Sequence, residues 1–425
     1  MLQRGLGKFS KLERWQKTLY IMLVAQLTSA IGFSTIFPFL PLYVQEVGST
    51  SGWSVEFAVG FVYSIQGFTM MFASPIWGSL ADRYGRKIMV QRATFGGAIL
   101  ILMMGFAQSA EQLVIIRAVQ GLVTGVISAA NALVASQAPR EQTGFAMGVL
   151  QVGLWAGVAV GPLIGGAIAD AYGYRTAFIV TAVLLTIAGL MVLFGIQENF
   201  VPTESKTKKS SNILHDWGRV VTTPGVGITY LLRFLSNGAR MSIFPILPLF
   251  LVTILPNTDR VNTVTGLMIG ITAAASTATA VYLGRLGDRI GHRKVVRGSA
   301  LLAGLAYLPQ SMVTEPWQLF ILQGLTGAAA GGILPALSAL LARYTQPGEE
   351  GSVYGIDNSI GAAGRAISPL IGTGVAHWFG LRSTFIATGG MFLAIVLLAI
   401  WKLPASQTHM PDNLDPQPKK IGSQD

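Results

Sequence analysis

Five charged residues stand where charge is expensive. Arg117, Arg233, Arg240 and Arg365 each interrupt a long apolar run, and Asp357 lies about two helical turns inside the run that also holds Arg365. Placing such a group in lipid costs about 2.5–3.5 kcal/mol even on the lenient insertion scale, so each must face a wet cavity or a partner. An embedded carboxylate can take up and release a proton, and a neighbouring guanidinium shifts that equilibrium. Asp357 is therefore the candidate proton carrier, with Arg117 or Arg365 tuning it. The plainer alternatives are that water reaches Asp357 from the nearer membrane face and that Arg117 bonds backbone carbonyls. Arg233 and Arg240 are seven positions apart and share a helix face. Glu56, Glu111 and Asp170 fall at the ends of their runs, which makes them weaker candidates.

A second charged element is a short turn, Gly78-Ser79-Leu80-Ala81-Asp82-Arg83-Tyr84-Gly85-Arg86-Lys87, between two apolar runs. It returns as Gly284-Arg285-Leu286-Gly287-Asp288-Arg289-Ile290-Gly291-His292-Arg293-Lys294, with Asp82 and Asp288 206 positions apart. An aspartate there can accept hydrogen bonds from the free N–H groups at a neighbouring helix start. Arg83 needs a carboxylate, and Glu141 is the candidate. The alternative is that the basic residues only fix topology.

The elements that hold these residues are apolar helices. The chain has 425 residues, 51% hydrophobic and only 12% charged, with mean hydropathy +0.54. Soluble domains carry about 25% charge, so much of this chain belongs in lipid. The absence of cysteine excludes disulfides, thiolate metal sites and a Cys nucleophile. The four histidines show no metal-ligand spacing, and no Gly-x4-Gly-Lys-Ser/Thr phosphate loop occurs, so neither metal, ATP nor another cofactor is expected. The net charge of +11 sits in short loops, which argues against a nucleic-acid partner.

Residues 1–17 form a basic segment. The 28-residue charge-free run Thr18–Gln45 is longer than a secretory signal's core and reads as an uncleaved first span. Spans 2–6 follow at Phe57–Ala81, Ala93–Ala110, Ala118–Pro139, Gln142–Ala169 and Thr176–Gln197. A polar, basic linker occupies 198–222. Spans 7–12 lie near Thr223–Leu255, Val261–Gly284, Gly298–Thr314, Pro316–Ala342, Gly351–Trp378 and Ser383–Trp401. The bundles should be 18–197 and 223–402, and the tail 403–425 reads as disordered. Of 30 Lys and Arg, 23 fall on the side that holds both termini and the linker and three on the other side, so both termini should be cytoplasmic.

The repeat extends past the charged turn. Ile36-Phe37-Pro38-Phe39-Leu40-Pro41-Leu42 returns 207 positions later as Ile243-Phe244-Pro245-Ile246-Leu247-Pro248-Leu249, and Pro162-Leu163-Ile164-Gly165 as Pro369-Leu370-Ile371-Gly372. Two copies of a six-span unit with one topology should be related by an axis along the membrane normal, a plan of secondary transporters. In span 5, Gly153, Gly157, Gly161 and Gly165 recur every four residues and leave a face without side chains. Pro162 can kink that helix. Ordinary tight packing explains the face; sealing the half-to-half interface against proton leak is the functional reading.

These motifs resemble the major facilitator superfamily. The turn with Gly78, Asp82, Arg83, Gly85 and Arg86 is similar to its signature loop, and Asp288 and Arg289 fall in the expected weaker copy. The glycines with Pro162 are similar to the signature of its proton-driven exporters. Within it the chain is most similar to the twelve-helix drug:H+ antiporter family, multidrug branch, through Arg117 in Ile-Ile-Arg-Ala-Val-Gln-Gly, the Phe-Pro-Phe-Leu-Pro-Leu-Tyr segment and Asn131-Ala132-Leu133. The resemblance implies an all-α integral membrane fold of twelve transmembrane helices in two pseudo-symmetric six-helix bundles. It also implies that Asp82 meets the start of span 11 near Gly351-Ser352, favouring the state closed to the cytoplasm.

The expected function is alternating-access export of amphipathic small molecules, multiple drugs among them, in exchange for protons. Expected partners are the substrate, protons and the bilayer of a bacterial inner membrane, with the protein a monomer. Cavity candidates are Phe33, Phe37, Tyr63, Gln66, Asn131, Tyr230, Phe234, Asn237, Arg240 and Gln323. Span 1 lacks the acid found in well-known exporters of cationic drugs, which leaves room for neutral, zwitterionic or anionic compounds. An exporter or exchanger of an anionic metabolite is the alternative, favoured by the embedded arginines. A membrane enzyme or receptor on the same fold is the remote one, and no nucleophile–base pair supports it.

Overall fold

The glycines at the joints show how the chain is folded. Gly85 and Gly291, which end spans 2 and 8, have φ of +98° and +97°; Gly173 and Gly380, between spans 5 and 6 and spans 11 and 12, have +82° and +86°. Only glycine adopts this backbone without strain. Each pair is one joint made twice, 206 or 207 positions apart. The computed structural model describes residues 13–139, 142–198, 225–345 and 350–404. Most of the linker and tail therefore lies outside the described residues, as do the first twelve residues and Glu141.

The described residues are helical throughout, without strands. Span 1 is Arg14–Thr35 continued by Leu40–Val47, and span 7 is Val226–Ile243 continued by Ile246–Ile254. Both break at the repeated Phe-Pro segment, where proline removes a ladder donor; the bend in span 7 is 41°. Spans 2 and 8 are unbroken 30-residue helices, Val55–Tyr84 and Val261–Ile290. Span 3 is Arg86–Met104, and span 9 is His292–Tyr307 with a short 3-10 continuation. Span 4 (Ala110–Val123, Val126–Gln137) and span 10 (Pro316–Ala330, Ile333–Tyr344) break at Thr124-Gly125 and Gly331-Gly332, again 207 apart. The 53-residue helix Thr143–Gly195 is broken at Gly173 and supplies spans 5 and 6. Spans 11 and 12 are Glu350–Phe379 and Leu381–Trp401.

Among the described residues, seven helical segments, with Pro316–Tyr344 taken as one, are long and apolar enough to cross a membrane, and the bent pair of span 7 makes an eighth. The rest cross as the repeat pairs them, so the chain is a twelve-span all-α membrane protein in two six-helix bundles. Each bundle has its own core. Phe39, Tyr43, Tyr174 and Phe178 form an aromatic knot in the first, and Phe250, Phe385, Tyr307 and Phe392 pack in the second.

The bundles meet chiefly through span 2 against span 11 and span 5 against span 8. Glycines allow the approach. A side chain on Gly67 would press on Ala366, one on Gly166 on Asn262 and Thr263, and one on Gly266 on Pro162 and Leu163. These contacts run from mid-helix to the end opposite the charged turns, here called the far end. Toward the turns, Gly148 of span 5 and Gly284 of span 8 have open space around them. The halves are closed on each other at the far end.

Candidate functional site

Phe37 and Phe244 occupy the same place in the two copies, at the breaks of spans 1 and 7. Their rings meet across the interface with centroids 5.6 Å apart. Phe37 also stacks on Tyr63 at 6.4 Å, and the Tyr63 hydroxyl donates to the Phe37 carbonyl at 2.9 Å. Proline-broken helices thus bring an aromatic cluster onto the pseudo-twofold axis, where an amphipathic molecule could stack.

On the first bundle's side, Arg117 is almost fully buried. Its Nη1 donates to Gln66 Oε1 at 2.7 Å and to Gln120 Oε1 at 3.0 Å. Both acceptors are neutral amide oxygens, and among the described residues no carboxylate pairs with the guanidinium. Asn131 is half-buried, and its enclosed Oδ1 has no hydrogen-bond partner among the described residues.

The second bundle holds the acid. Asp357 is 6% exposed, and its Oδ1 lies 2.9 Å from Arg233 Nε. The pair is held by charge, since the N–H is not aimed at the oxygen. Arg233 also donates from Nη1 to Ser338 Oγ at 2.9 Å, which links spans 7, 10 and 11. Arg365 is exposed. Asn237 and Arg365 flank Gly361, and Phe234 and Arg240 are half-buried on the same helix as Asn237. The partner of Asp357 is thus Arg233, not Arg117 or Arg365. Arg117 belongs to the other bundle, and Arg365 lies about two turns along the helix from Asp357.

Three cavity candidates are used inside their own bundles instead. Phe33 points at Gly97 of span 3, within 3.1 Å of where a Cβ would be. Tyr230 donates to the Val353 carbonyl at 2.8 Å and joins span 7 to span 11. Gln323 donates to Gln310 Oε1 at 3.3 Å and accepts from Thr272 at 3.2 Å.

The glycine face of span 5 also has a different partner from the one expected. Gly153, Gly157, Gly161 and Gly165 pack on Leu23, Leu27, Ala30, Ile31 and Thr35 of span 1, inside the first bundle. Ser34 Oγ donates to the Gly157 carbonyl at 3.1 Å in that seam. The half-to-half contact uses the next face round, through Ala159, Pro162 and Gly166.

The Asp82 side chain and Glu141 are outside the described residues, so their expected contacts are not placed. Arg83 is exposed beside the Tyr84 ring, with 5.4 Å to the centroid. Lys87 Nζ donates to the carbonyls of Leu193 and Ile196 at 2.8 and 2.6 Å, closing the end of span 6. In the second copy Arg293 Nη2 donates to the Ile400 carbonyl at 2.9 Å, closing span 12. Glu198 accepts from the Arg86 and Lys87 amides at 3.0 and 2.8 Å. Asp288 is exposed, and its Oδ1 lies 3.2 Å from His292 Nε2 in its own bundle; Arg289 is exposed beside it. Cations at helix C-termini contribute about 0.3–1 kcal/mol. Lys87→Met is accordingly expected to lower the thermal unfolding midpoint of detergent-purified protein by a few degrees while leaving transport measurable. Lost transport with an unchanged midpoint would instead give Lys87 a switching role.

Comparison with known proteins agrees with this architecture. Residues 22–256 and 229–421 match the family model described as Major Facilitator Superfamily. The chain is 36% identical over 401 residues to a protein named "Multidrug resistance protein MdtG" from Klebsiella pneumoniae (strain 342), covering 94% of this chain and 97% of that one. Among solved structures it is similar to the nucleoside transporter NupG, with TM-score 0.76 and 13% identity over 91% of this chain and 100% of that one. It is also similar to a bacterial homologue of the human lysosomal transporter Spinster in an inward-facing, occupied conformation, with TM-score 0.76 and 13% identity over 92% and 97% of the two chains.

Proposed function

Because the chain belongs to the Major Facilitator Superfamily, we propose that it is a secondary transporter exporting amphipathic small molecules, multiple drugs among them, in exchange for protons. The MdtG relative named for multidrug resistance supports the cargo class. The observation that carries the proton reading is the buried carboxylate of Asp357 beside Arg233, in the part of span 11 nearer the charged turns. A proton arriving there would dissolve the ion pair and free both side chains. Phe37, Tyr63 and Phe244 would hold the apolar part of the cargo and Gln66, Asn237 and Arg365 its polar part.

The bundles are taken as 18–197 and 223–402, joined by the basic linker, in a bacterial inner membrane with both termini cytoplasmic, as the loop charges favour. The far end is then periplasmic, and the described state is one closed to the periplasm. A monomer holds the whole pathway. Arg365, exposed in mid-helix, favours a second reading in which the cargo carries an anionic group.

In everted vesicles carrying a preformed pH gradient, adding a transported drug should dissipate the gradient. An intact gradient during measured drug uptake would refute antiport. Growth protection against a panel of lipophilic cations and organic anions separates the two cargo readings, since protection confined to one set excludes the other.

A further inference from the structure

Asp170, the last acid of span 5, reaches across the interface and caps the other bundle. Its Oδ1 accepts from the Asn262 amide at 3.3 Å and from Asn262 Nδ2 at 2.7 Å. Its Oδ2 accepts from the Thr263 amide at 2.7 Å and the Thr263 hydroxyl at 2.6 Å. These are the first-turn donors of span 8, whose own N-cap residue, Arg260, makes no side-chain cap. Span 2, the matching helix of the other copy, is capped by its own Ser54. Span 8 therefore has its cap only while the halves are closed at the far end.

The repeat supplies a counterpart. Adding 207 to Asp170 gives His377, and subtracting 207 from Thr263 gives Glu56. His377 Nδ1 lies 3.6 Å from Glu56 Oε2, joining the end of span 11 to the first turn of span 2. The two links stand on either side of the Phe37–Phe244 contact at pseudo-equivalent positions. Both must part whenever the far end opens.

We propose that Asp170 is a positioning residue for alternation: its trans cap on span 8 is a latch that stabilises the far-closed state, with the Glu56–His377 contact as its weaker twin. An anionic cap at a helix start is stabilising through its hydrogen bonds and the helix dipole. The donors are returned to water when the halves separate, so removing the carboxylate shifts the balance between the two transport states.

The chain has no cysteine, so one introduced thiol reports alone. Thr373, 1% exposed and seated against Gly60 of span 2, becomes accessible only when the far end opens. In a Thr373→Cys background, Asp170→Ala should raise labelling by a membrane-impermeant maleimide, applied from the Asp170 side, by about tenfold, the ratio corresponding to about 1.4 kcal/mol. Thr263→Val should raise it by a smaller factor and add little to Asp170→Ala, because both act through one contact. Unchanged labelling in folded Asp170→Ala protein overturns the proposal, as does full additivity of the two substitutions. If Asp170→Ala is not recovered folded, Asp170→Asn and Thr263→Val are read in the same way, and unchanged labelling in both overturns it. No cargo is added in these measurements, so their outcome is independent of whether drugs are the substrate.

Discussion

Asp357→Asn is expected to reduce drug-driven dissipation of a pH gradient to the level of vesicles lacking the protein, while substrate exchange without a gradient persists. The substitution preserves shape and removes the carboxylate that lies beside Arg233. It also leaves a guanidinium without its carboxylate. Breaking one side of a buried ion pair costs about 3–5 kcal/mol, much of it from the charge left behind. Reduced yield would therefore be expected for a reason unrelated to coupling. The double variant Arg233→Gln with Asp357→Asn removes both charges and should recover much of the lost stability without recovering coupling. Gradient dissipation by either folded variant at the rate of the parent would remove Asp357 from the mechanism.

That prediction depends on a pairing that could not be read from spacing. Arg233 and Asp357 are 124 positions apart and on different helices. Sequence placed both in apolar runs and so marked both as costly, yet costliness alone does not choose a partner among four arginines. The choice is made by the packing of span 7 on span 11, through Tyr230 bonded to Val353 and Asn237 against Gly364. The repeat is legible in sequence through its matched motifs, whereas the helix breaks within spans 1, 4, 7 and 10 are seen only in the structure, although their proline and glycine residues stand in the sequence.

Facial assignments fared differently for the same reason. A glycine every four residues announces a close helix contact but not which neighbour makes it. Span 5 offers one face to span 1 and the next to span 8, and the four-residue series Gly153–Gly165 proved to belong to the first. In sequence Asp170 is only an acid at the end of its run, where a charge costs little. Its importance lies in the donors of Asn262 and Thr263 on the other half, which no local pattern contains. Phe33 and Gln323 fell on plausible helices yet turn into bundle cores, since helix rotation follows from neighbours rather than composition.

The two faces of span 5 can be told apart by one added side chain each. At Gly157 a Cβ would lie 2.6 Å from the Ala30 Cβ, 2.8 Å from the Leu27 carbonyl oxygen and 2.9 Å from the Ile31 amide. Spans 1 and 5 are in one bundle and stay packed through the cycle, so nothing relieves the overlap. Overpacking of this kind costs about 1–3 kcal/mol or more, and Gly157→Val should yield little folded protein. At Gly266 the clash is with Pro162 and Leu163 of the opposing half, and the halves can part. Gly266→Val should therefore fold, stay open at the far end, label a Thr373→Cys reporter readily and fail to transport. Closure needs backbone against backbone there, and a branched side chain removes that state rather than weakening the bundle. Equal losses of folded protein from the two substitutions, or normal transport by Gly266→Val, would refute the assignment of the two faces.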